Sequence, residues 1–157
     1  MGKALYYDSP IGRLMICENG SSITHVLFEG SLLPEGYTIE ESPVLIEAAQ
    51  QLDEYFKGRR RKFDLSLNPA GTEFMKKVWA SLLKIPYGQR RSYKDIAESI
   101  GKNKAYRAVG MANNRNPIPI FIPCHRVVGA DGSLVGYGGG LEIKTFLLNL
   151  EMENSQL

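Results

Sequence analysis

The sequence predicts an α+β fold in which a small antiparallel sheet with one helix precedes a mostly helical part. Three observations support this prediction. Short apolar runs near the N-terminus are separated by turn residues, and apolar residues recur at helical spacing from residue 43 onwards. Residues 68–72, Asn-Pro-Ala-Gly-Thr, have the composition of a linker. We therefore expect two domains, residues 1–71 and 72–157.

Three strands are expected in the first domain, at residues 4–7, 14–17 and 23–28. The turn residues Ser9-Pro10-Ile11-Gly12 and Asn19-Gly20 separate them, which indicates antiparallel hairpins. A further strand is expected where Phe63, Leu65 and Leu67 alternate with polar residues. We place it at a sheet edge, which the basic residues 59–62 would protect from pairing with other chains.

Two helices follow from capping residues and apolar stripes. Ser42 and Pro43 have the character of an N-cap and a first helical residue, and this helix is expected to end at Gly58. Thr72 is expected to cap a second helix, which would bury Trp79 and end before Pro86.

A helix-turn-helix is predicted next along the chain. Ser92 and Asp95 fit a capping box that begins a short helix ending at Gly101, and residues 104–114 have the pattern of a second helix. Ordinary helix pairs in bundles have the same pattern, so the motif alone does not establish DNA binding.

Charge distribution favours a polyanionic partner for the second domain. Residues 1–71 carry seven Lys/Arg against ten Asp/Glu, whereas residues 72–157 carry twelve against seven. Residues 84–115 alone hold eight basic and two acidic residues. The second helix of the pair offers the small side chains of Ala105 and Ala108 around Arg107, which suits shallow insertion into the minor groove. The alternatives are a solvated basic helix face and a surface salt bridge for Arg107.

Cys124 is the candidate nucleophile because His125 follows it directly. A thiol becomes nucleophilic when it loses its proton, and a neighbouring imidazole can accept that proton or stabilise the thiolate. Residues 116–123 contain three prolines, which predict an extended, stiff approach to Cys124. The alternatives are a small buried cysteine chosen for packing and a proline-containing edge strand.

Composition limits the remaining classes of protein. A hydrophobic content of 43% and a charged content of 23% are ordinary for a globular chain, and no apolar run is long enough to span a membrane. The first residues lack a secretory signal pattern, so we expect a cytoplasmic protein without membrane association. No metal is expected, because Cys17 and His25 alone cannot complete a tetrahedral site, and no cofactor is expected.

Residues 72–151 resemble the O6-alkylguanine-DNA alkyltransferases, also called methylated-DNA-protein-cysteine methyltransferases. The first domain is similar to this family only in pattern, as a ribonuclease-H-like sheet with a helix. The resemblance is carried by the motifs Ser92-Tyr93, Arg107-Ala108-Val109-Gly110, Asn116-Pro117, Ile122-Pro123-Cys124-His125-Arg126-Val127-Val128 and Tyr137-Gly138-Gly139-Gly140.

The resemblance implies direct reversal of DNA damage by a monomer. An alkyl group would pass from guanine O6 to the Cys124 sulfur, irreversibly and once per molecule, after the nucleotide is rotated out of the duplex. The implied partner is double-stranded DNA that carries O6-alkylguanine, and no obligate protein partner is expected. Activity on O4-alkylthymine and the preferred alkyl size stay open.

The same resemblance implies roles for individual residues. His125 would deprotonate Cys124 through a water, and Glu151, at the end of a helix that begins at Leu141, would orient His125. Asn116 would tie the helix pair to the loop that carries Cys124. The implied substrate and DNA contacts are Ser92, Tyr93, Ala105, Arg107, Ala108, Arg126, Val127, Tyr137 and Gly138, with Arg107 filling the vacated stack and Val127 contacting the guanine edge through its carbonyl.

Three other functions compete with this hypothesis. A lesion sensor of the same fold would lack the cysteine, whereas Cys124 is present. A transcription regulator would need base-reading side chains on its second helix. A cysteine hydrolase would need an oxyanion hole and gives no reason for the basic helix pair.

Overall fold

The computed structural model describes residues 2–155 and has the α+β fold that the sequence predicts. The chain divides into two compact units, residues 1–70 and 71–157. Over residues 2–70, the first unit contains four strands and one helix: β1 (Gly2–Ser9), β2 (Gly12–Glu18), β3 (Ile23–Leu27), β4 (Tyr37–Ile39) and α1 (Pro43–Phe56).

The sheet of the first unit has the strand order β3-β2-β1-β4. Strands β1, β2 and β3 pair antiparallel through tight turns, as the turn residues predict. The sheet is mixed, however, because β4 pairs parallel to β1. The prediction of a strand around Phe63–Leu67 is wrong. This segment makes one isolated bridge, between Leu67 and Ile23, and is not a regular strand.

Helix α1 packs on one face of this sheet. Ser42 caps it, since the Ser42 hydroxyl accepts a hydrogen bond from the Leu45 amide, and Pro43 is its first residue. Alternation along β2 points Leu14 and Ile16 to one face of the sheet and Met15 and Cys17 to the other. All four side chains are buried, so both faces of β2 contribute to apolar packing.

Over residues 71–155, the second unit contains four α-helices, one short 3₁₀ turn and a short strand pair. Its elements are α2 (Glu73–Leu82), β5 (Arg91–Ser92), α3 (Tyr93–Ser99), α4 (Tyr106–Asn114), β6 (Val127–Val128) and α5 (Leu141–Ser155). Thr72 caps α2, and the indole nitrogen of Trp79 donates a hydrogen bond to the Ala112 carbonyl at 2.9 Å. This bond fixes α2 against α4 in the buried centre of the unit.

Helices α3 and α4 form the expected pair around a tight turn. Both hydrogen bonds of the capping box between Ser92 and Asp95 are present. Gly101 lies just beyond α3 at φ +72°, a left-handed conformation that glycine adopts without strain. The aromatic ring of Tyr93 lies beside Gly110 on α4, where an added Cβ would stand 3.8 Å from it.

Strands β5 and β6 pair in parallel and join the start of α3 to the segment that follows Cys124. Val127 and Val128 are buried, and they hold this segment inside the unit. None of the described helices is long and apolar enough to cross a membrane.

Candidate active site

Cys124 begins a short 3₁₀ turn, Cys124–Arg126, that leads into β6. Its amide donates to the Ile122 carbonyl at 2.8 Å, and its own carbonyl accepts from the Asn113 side chain at 3.3 Å. The residue is only 4% exposed, so Cys124 is buried within the second unit.

A buried cluster of charged groups lies directly behind this turn. His125 Nε2 donates to Glu151 at 2.6 Å, and Arg126 Nε donates to the same carboxylate at 2.8 Å. The Gly88 amide donates a further hydrogen bond to Glu151 at 3.1 Å. One carboxylate on α5 thus fixes both residues that follow Cys124.

These contacts determine the protonation of the pair. Although burial alone would raise the pKa of Glu151, hydrogen bonds and charges from His125 and Arg126 hold that pKa well below its ordinary value. Burial lowers the pKa of His125, against the opposite effect of Glu151. At neutral pH, Glu151 is therefore ionised and His125 is neutral.

The carboxylate also selects the tautomer of His125. Because Nε2 carries the hydrogen that Glu151 accepts, Nδ1 has the free lone pair. Nδ1 is buried and has no hydrogen-bond partner among the described residues. The imidazole is consequently arranged to accept one proton at Nδ1.

The Cys124 thiol is not ionised at rest. Burial raises its pKa to about 11, while Asn116, Lys144 and Tyr137 each lower that pKa in part. Removal from water disfavours the charged form of the sulfur. A thiol with a raised pKa needs a base that takes its proton before it can act as a nucleophile.

The segment before Cys124 is compact and not extended, in contrast to the prediction from its prolines. The Ile122 amide donates to the Ile118 carbonyl at 2.9 Å, which closes a turn. Asn116 fixes this turn from within, because its side chain donates to the Ile122 carbonyl and accepts from the Ile118 amide. Ile120 has φ +75°, a costly conformation for a β-branched residue.

Of the predicted substrate contacts, Tyr93 and Tyr137 lie at the site. The Tyr93 hydroxyl donates to the Val135 carbonyl at 2.9 Å. Burial raises the pKa of Tyr137 well above its ordinary value, with further contributions from Cys124. Ser92 acts as the N-cap of α3, and Gly138 is exposed in the segment before α5.

The predicted DNA contacts on α4 face solvent. Arg107 and Ala108 are exposed, and Ala105 is the half-buried N-cap residue of this helix. They lie near the start of a helix that packs on α2 and α3 through Val109 and Ala112. The geometry leaves Arg107 free to contact a nucleic acid.

Arg126 and Val127 differ from their expected placement at a DNA or substrate surface. Arg126 is 6% exposed and gives its guanidinium to Glu151 and to the Ile85 carbonyl, so it is not presented to a phosphate. The Val127 carbonyl accepts from Lys144 at 2.6 Å, which occupies one of its two acceptor positions. A guanine edge could use only the second position.

Sequence reasoning missed Lys144 and Asn113. Both are buried polar residues, and each donates to a backbone carbonyl of the 124–128 segment. The signal available was weak: Lys144 lies seven residues before Glu151, which places both on one face of α5.

Two family models together match nearly the whole chain. Residues 3–69 match the ribonuclease-like domain of 6-O-methylguanine DNA methyltransferase. Residues 73–153 match the DNA-binding domain of 6-O-methylguanine DNA methyltransferase.

Relatives of known name agree with these models. A methylated-DNA--protein-cysteine methyltransferase of Methanosarcina barkeri is 53% identical over 96% of this chain and 99% of its own length. The constitutive enzyme of that name from Bacillus subtilis is 49% identical over 92% of both chains.

A solved structure supports the same assignment. The crystal structure of Mycobacterium tuberculosis OGT in complex with DNA has a TM-score of 0.92 and 44% identity, and the match covers 97% of this chain and 94% of that one. Because both of its domains match the family models, and because its relatives and its fold agree with them, the chain belongs to the 6-O-methylguanine DNA methyltransferase family.

Proposed function

We propose that this protein repairs DNA by transferring an alkyl group from O6 of guanine to the sulfur of Cys124. Family membership and the names of the relatives support the reaction class, and the solved complex of the Mycobacterium tuberculosis protein supports DNA as the partner. The transfer is irreversible, and each molecule acts once.

The observation that carries this proposal is the buried, unpartnered Nδ1 of a neutral histidine next to a buried thiol. Cysteine packed only as a small apolar residue would need no such neighbour. A base that is neutral at pH 7 and oriented by a carboxylate is the group that a thiol with a raised pKa requires.

The reaction balances with these groups alone. His125 Nδ1 accepts the thiol proton through a bridging water, and the sulfur attacks the alkyl carbon as the bond between that carbon and O6 breaks. The electron pair of the broken bond stays on guanine, which then takes up a proton. Because no water is activated against the new thioether, the sulfur is not regenerated.

Access to Cys124 requires that the nucleotide leave the duplex, because O6 is not reachable inside the base stack. Helix α4 presents Arg107 to the DNA, and we assign that side chain to the space that the nucleotide leaves. The damaged base enters beside residues 129–140, an exposed segment rich in glycine.

We also propose that the protein is cytoplasmic and acts as a monomer. Cys17 and Cys124 are both buried and form no disulfide. Free cysteines suit a reducing compartment, in which Cys124 would stay in the thiol form.

We expect one methyl group to be transferred per protein molecule. A duplex oligonucleotide with a single O6-methylguanine, in excess over protein, should yield restored guanine equal to the amount of protein. Intact-mass spectrometry should show one added methyl group. A product count that continues to rise beyond one per protein would contradict single use, and restored guanine without an adduct would contradict transfer to the protein.

Arg107→Ala is expected to slow repair of duplex DNA by about tenfold or more while sparing the reaction with free O6-benzylguanine. The reason is that extrusion of a base costs a few kcal/mol, which an inserted side chain offsets. Single-turnover rates at saturating DNA measure the effect.

Arg115→Ala is the control that distinguishes insertion of the Arg107 side chain into the base stack from the general attraction of a cation to DNA phosphates. Arg115 lies exposed at the other end of α4, so its removal should weaken DNA binding, and saturating DNA should restore the rate. Equal losses for Arg107→Ala on duplex and on free base would reject insertion.

A further inference from the structure

Asn113 is a buried amide beside Cys124 that the reaction described above does not use. It lies on the inner face of α4 and is 1% exposed. Its Nδ2 donates to the Cys124 carbonyl at 3.3 Å. This bond fixes the orientation of the amide, because a carbonyl oxygen can only accept. The other polar atom of the amide, Oδ1, is therefore turned away from this carbonyl.

Two buried polar atoms next to Cys124 have no hydrogen-bond partner within residues 2–155. They are Asn113 Oδ1 and His125 Nδ1. Buried polar atoms in folded proteins almost always have a partner, which is either protein or an ordered water. Both atoms belong to residues attached to Cys124, one through the Cys124 carbonyl and the other through the peptide bond. One water beside Cys124 can therefore satisfy both of them.

A water that relays the thiol proton needs three partners. It accepts the proton of the Cys124 thiol and donates one of its own hydrogens to His125 Nδ1, which leaves its second hydrogen. In a buried site that hydrogen needs an acceptor, because an unmade hydrogen bond costs free energy there. Asn113 Oδ1 is such an acceptor. A neutral amide also differs from a carboxylate in that it does not compete with His125 for the proton.

We propose that Asn113 is a positioning residue for alkyl transfer, whose Oδ1 accepts the second hydrogen of the water between the Cys124 thiol and His125 Nδ1. This inference rests on the proposed function. The thiol proton passes to the water oxygen while a water hydrogen passes to Nδ1. The sulfur–carbon bond forms, the bond between that carbon and O6 breaks, and guanine takes up a proton. The hydrogen that Asn113 accepts stays on the water.

A purely structural role explains only half of the Asn113 amide. Its donor end holds the 3₁₀ turn at Cys124 against α4, and another side chain with an N–H or O–H could do the same. The acceptor end has no such explanation, and a buried acceptor left unpaired costs about 1–3 kcal/mol. Asn116, the other amide near the sulfur, already uses its Oδ1 to accept from the Ile118 amide.

The relay lies among several charged and titratable groups that stay unchanged in the test. Those around the sulfur and the imidazole are Tyr93, Tyr137, Lys144, Arg126 and Glu151. A neutral residue exchanged for another neutral residue at position 113 leaves all of these charges in place. A changed pH profile would therefore report on the relay and not on the loss of a charge.

Asn113→Leu in a Cys17→Ala background tests the proposal, because Cys124 is then the only cysteine in the chain. Leucine keeps a branched side chain at this position but has neither donor nor acceptor. Asn103→Leu, in the exposed turn between α3 and α4, is the matched control. Asn113→Met is a second apolar variant, whose flexible side chain fits irregular space. Circular dichroism establishes which variants are folded.

The first readout is the rate at which iodoacetamide modifies Cys124 across a pH series. Asn113→Leu should react about tenfold more slowly near neutral pH, a part of the roughly hundredfold or more that a positioned base contributes. The difference should narrow as the pH rises, because hydroxide then removes the thiol proton without the relay. A profile that coincides with that of Asn103→Leu would overturn the inference.

The second readout is single-turnover benzyl transfer from free O6-benzylguanine over a range of concentrations. The maximal rate should fall in parallel with the iodoacetamide rate. The concentration that gives half of this rate should stay the same, since Asn113 acts on the water and not on the base. A raised half-saturating concentration with an unchanged maximal rate would instead assign Asn113 to substrate binding and reject the relay.

A double-mutant cycle with His125→Gln distinguishes the relay from a structural role. Without the imidazole, Asn113→Leu should cause no further loss of the iodoacetamide rate, because the water then has no base to serve. A tenfold loss that persists in the His125→Gln background would contradict the proposal. If His125→Gln does not fold, the pH profile of the single variant decides.

Two further outcomes keep the test decisive. If Asn113→Leu does not fold, Asn113→Met takes its place in every comparison. A protein with unchanged Asn113 that reacts with iodoacetamide but takes up no benzyl group would refute the proposed function, while the iodoacetamide profiles would still judge Asn113.

Discussion

Replacement of Glu151 by glutamine is expected to reduce the free energy of unfolding by about 3–5 kcal/mol, the range for loss of one partner from a buried ion pair. Glu151 is 1% exposed and accepts hydrogen bonds from His125, Arg126 and the Gly88 amide. Glutamine fills the same space but leaves the Arg126 guanidinium without a counter-charge. The free energy of unfolding of a globular domain is about 5–15 kcal/mol in total, so the variant should fold but with low stability.

The same substitution should slow alkyl transfer by on the order of a hundredfold or more, within the range that a positioned base contributes. A glutamine amide can donate to His125 as well as accept from it. Donation to Nε2 would select the other tautomer and occupy Nδ1 with hydrogen, so the imidazole could no longer take the thiol proton.

Urea denaturation and single-turnover transfer measure these two effects. Glu153→Gln, two residues further along α5 and exposed, is the matched control and should behave as the unchanged protein. Equal unfolding midpoints for the two variants would contradict the buried cluster as a source of stability.

The pH dependence of the effect has a defined sign. The folded protein holds the pKa of Glu151 below its ordinary value of 4.5, so the stability that this group contributes is present above about pH 4.5. It is lost as the pH falls through the folded-state pKa. The stability difference between Glu151→Gln and the unchanged protein should therefore be largest near neutrality and narrow in acid.

Local signals in the sequence predicted most of the helices and hairpins. Ser42, Thr72 and Ser92 each cap the helix that was expected to follow, and Gly101 lies at the expected end of α3. Such signals depend on neighbouring residues only, and a short turn or cap has few alternative conformations.

The elements that the sequence did not reveal depend on distant partners. β4 lies parallel to β1, and β5 lies parallel to β6, although long stretches of chain separate them. Parallel pairing has no turn signal. The compact turn at 118–122 also escaped prediction, because prolines exclude a helix but do not distinguish an extended segment from a tight turn held by Asn116.

At the site, adjacency identified Cys124 and His125, and the resemblance supplied Glu151. Neither could indicate that Arg126 turns inward to Glu151 or that Lys144 reaches Val127, because both side chains lie buried against the general preference of charged residues for water. The raised pKa of the thiol was equally inaccessible, since it arises from burial in the folded unit.

Cys124→Ala is expected to abolish alkyl uptake completely while leaving the protein folded. Alanine is smaller and lacks the sulfur, and no other described residue combines a thiol with an unpartnered imidazole nitrogen. Cys17 provides the matched comparison: it is also buried, burial also raises its pKa to about 11, and His25 is its partner across strands β2 and β3. His25 Nδ1, however, is hydrogen-bonded to Thr24.

Peptide mapping after reaction with O6-benzylguanine tests the assignment of the acceptor most directly. We expect one benzyl group on the peptide that contains Cys124, in the unchanged protein and in Cys17→Ala alike, and none in Cys124→Ala. A benzyl group found on Cys17, or uptake that persists in a folded Cys124→Ala protein, would contradict the account.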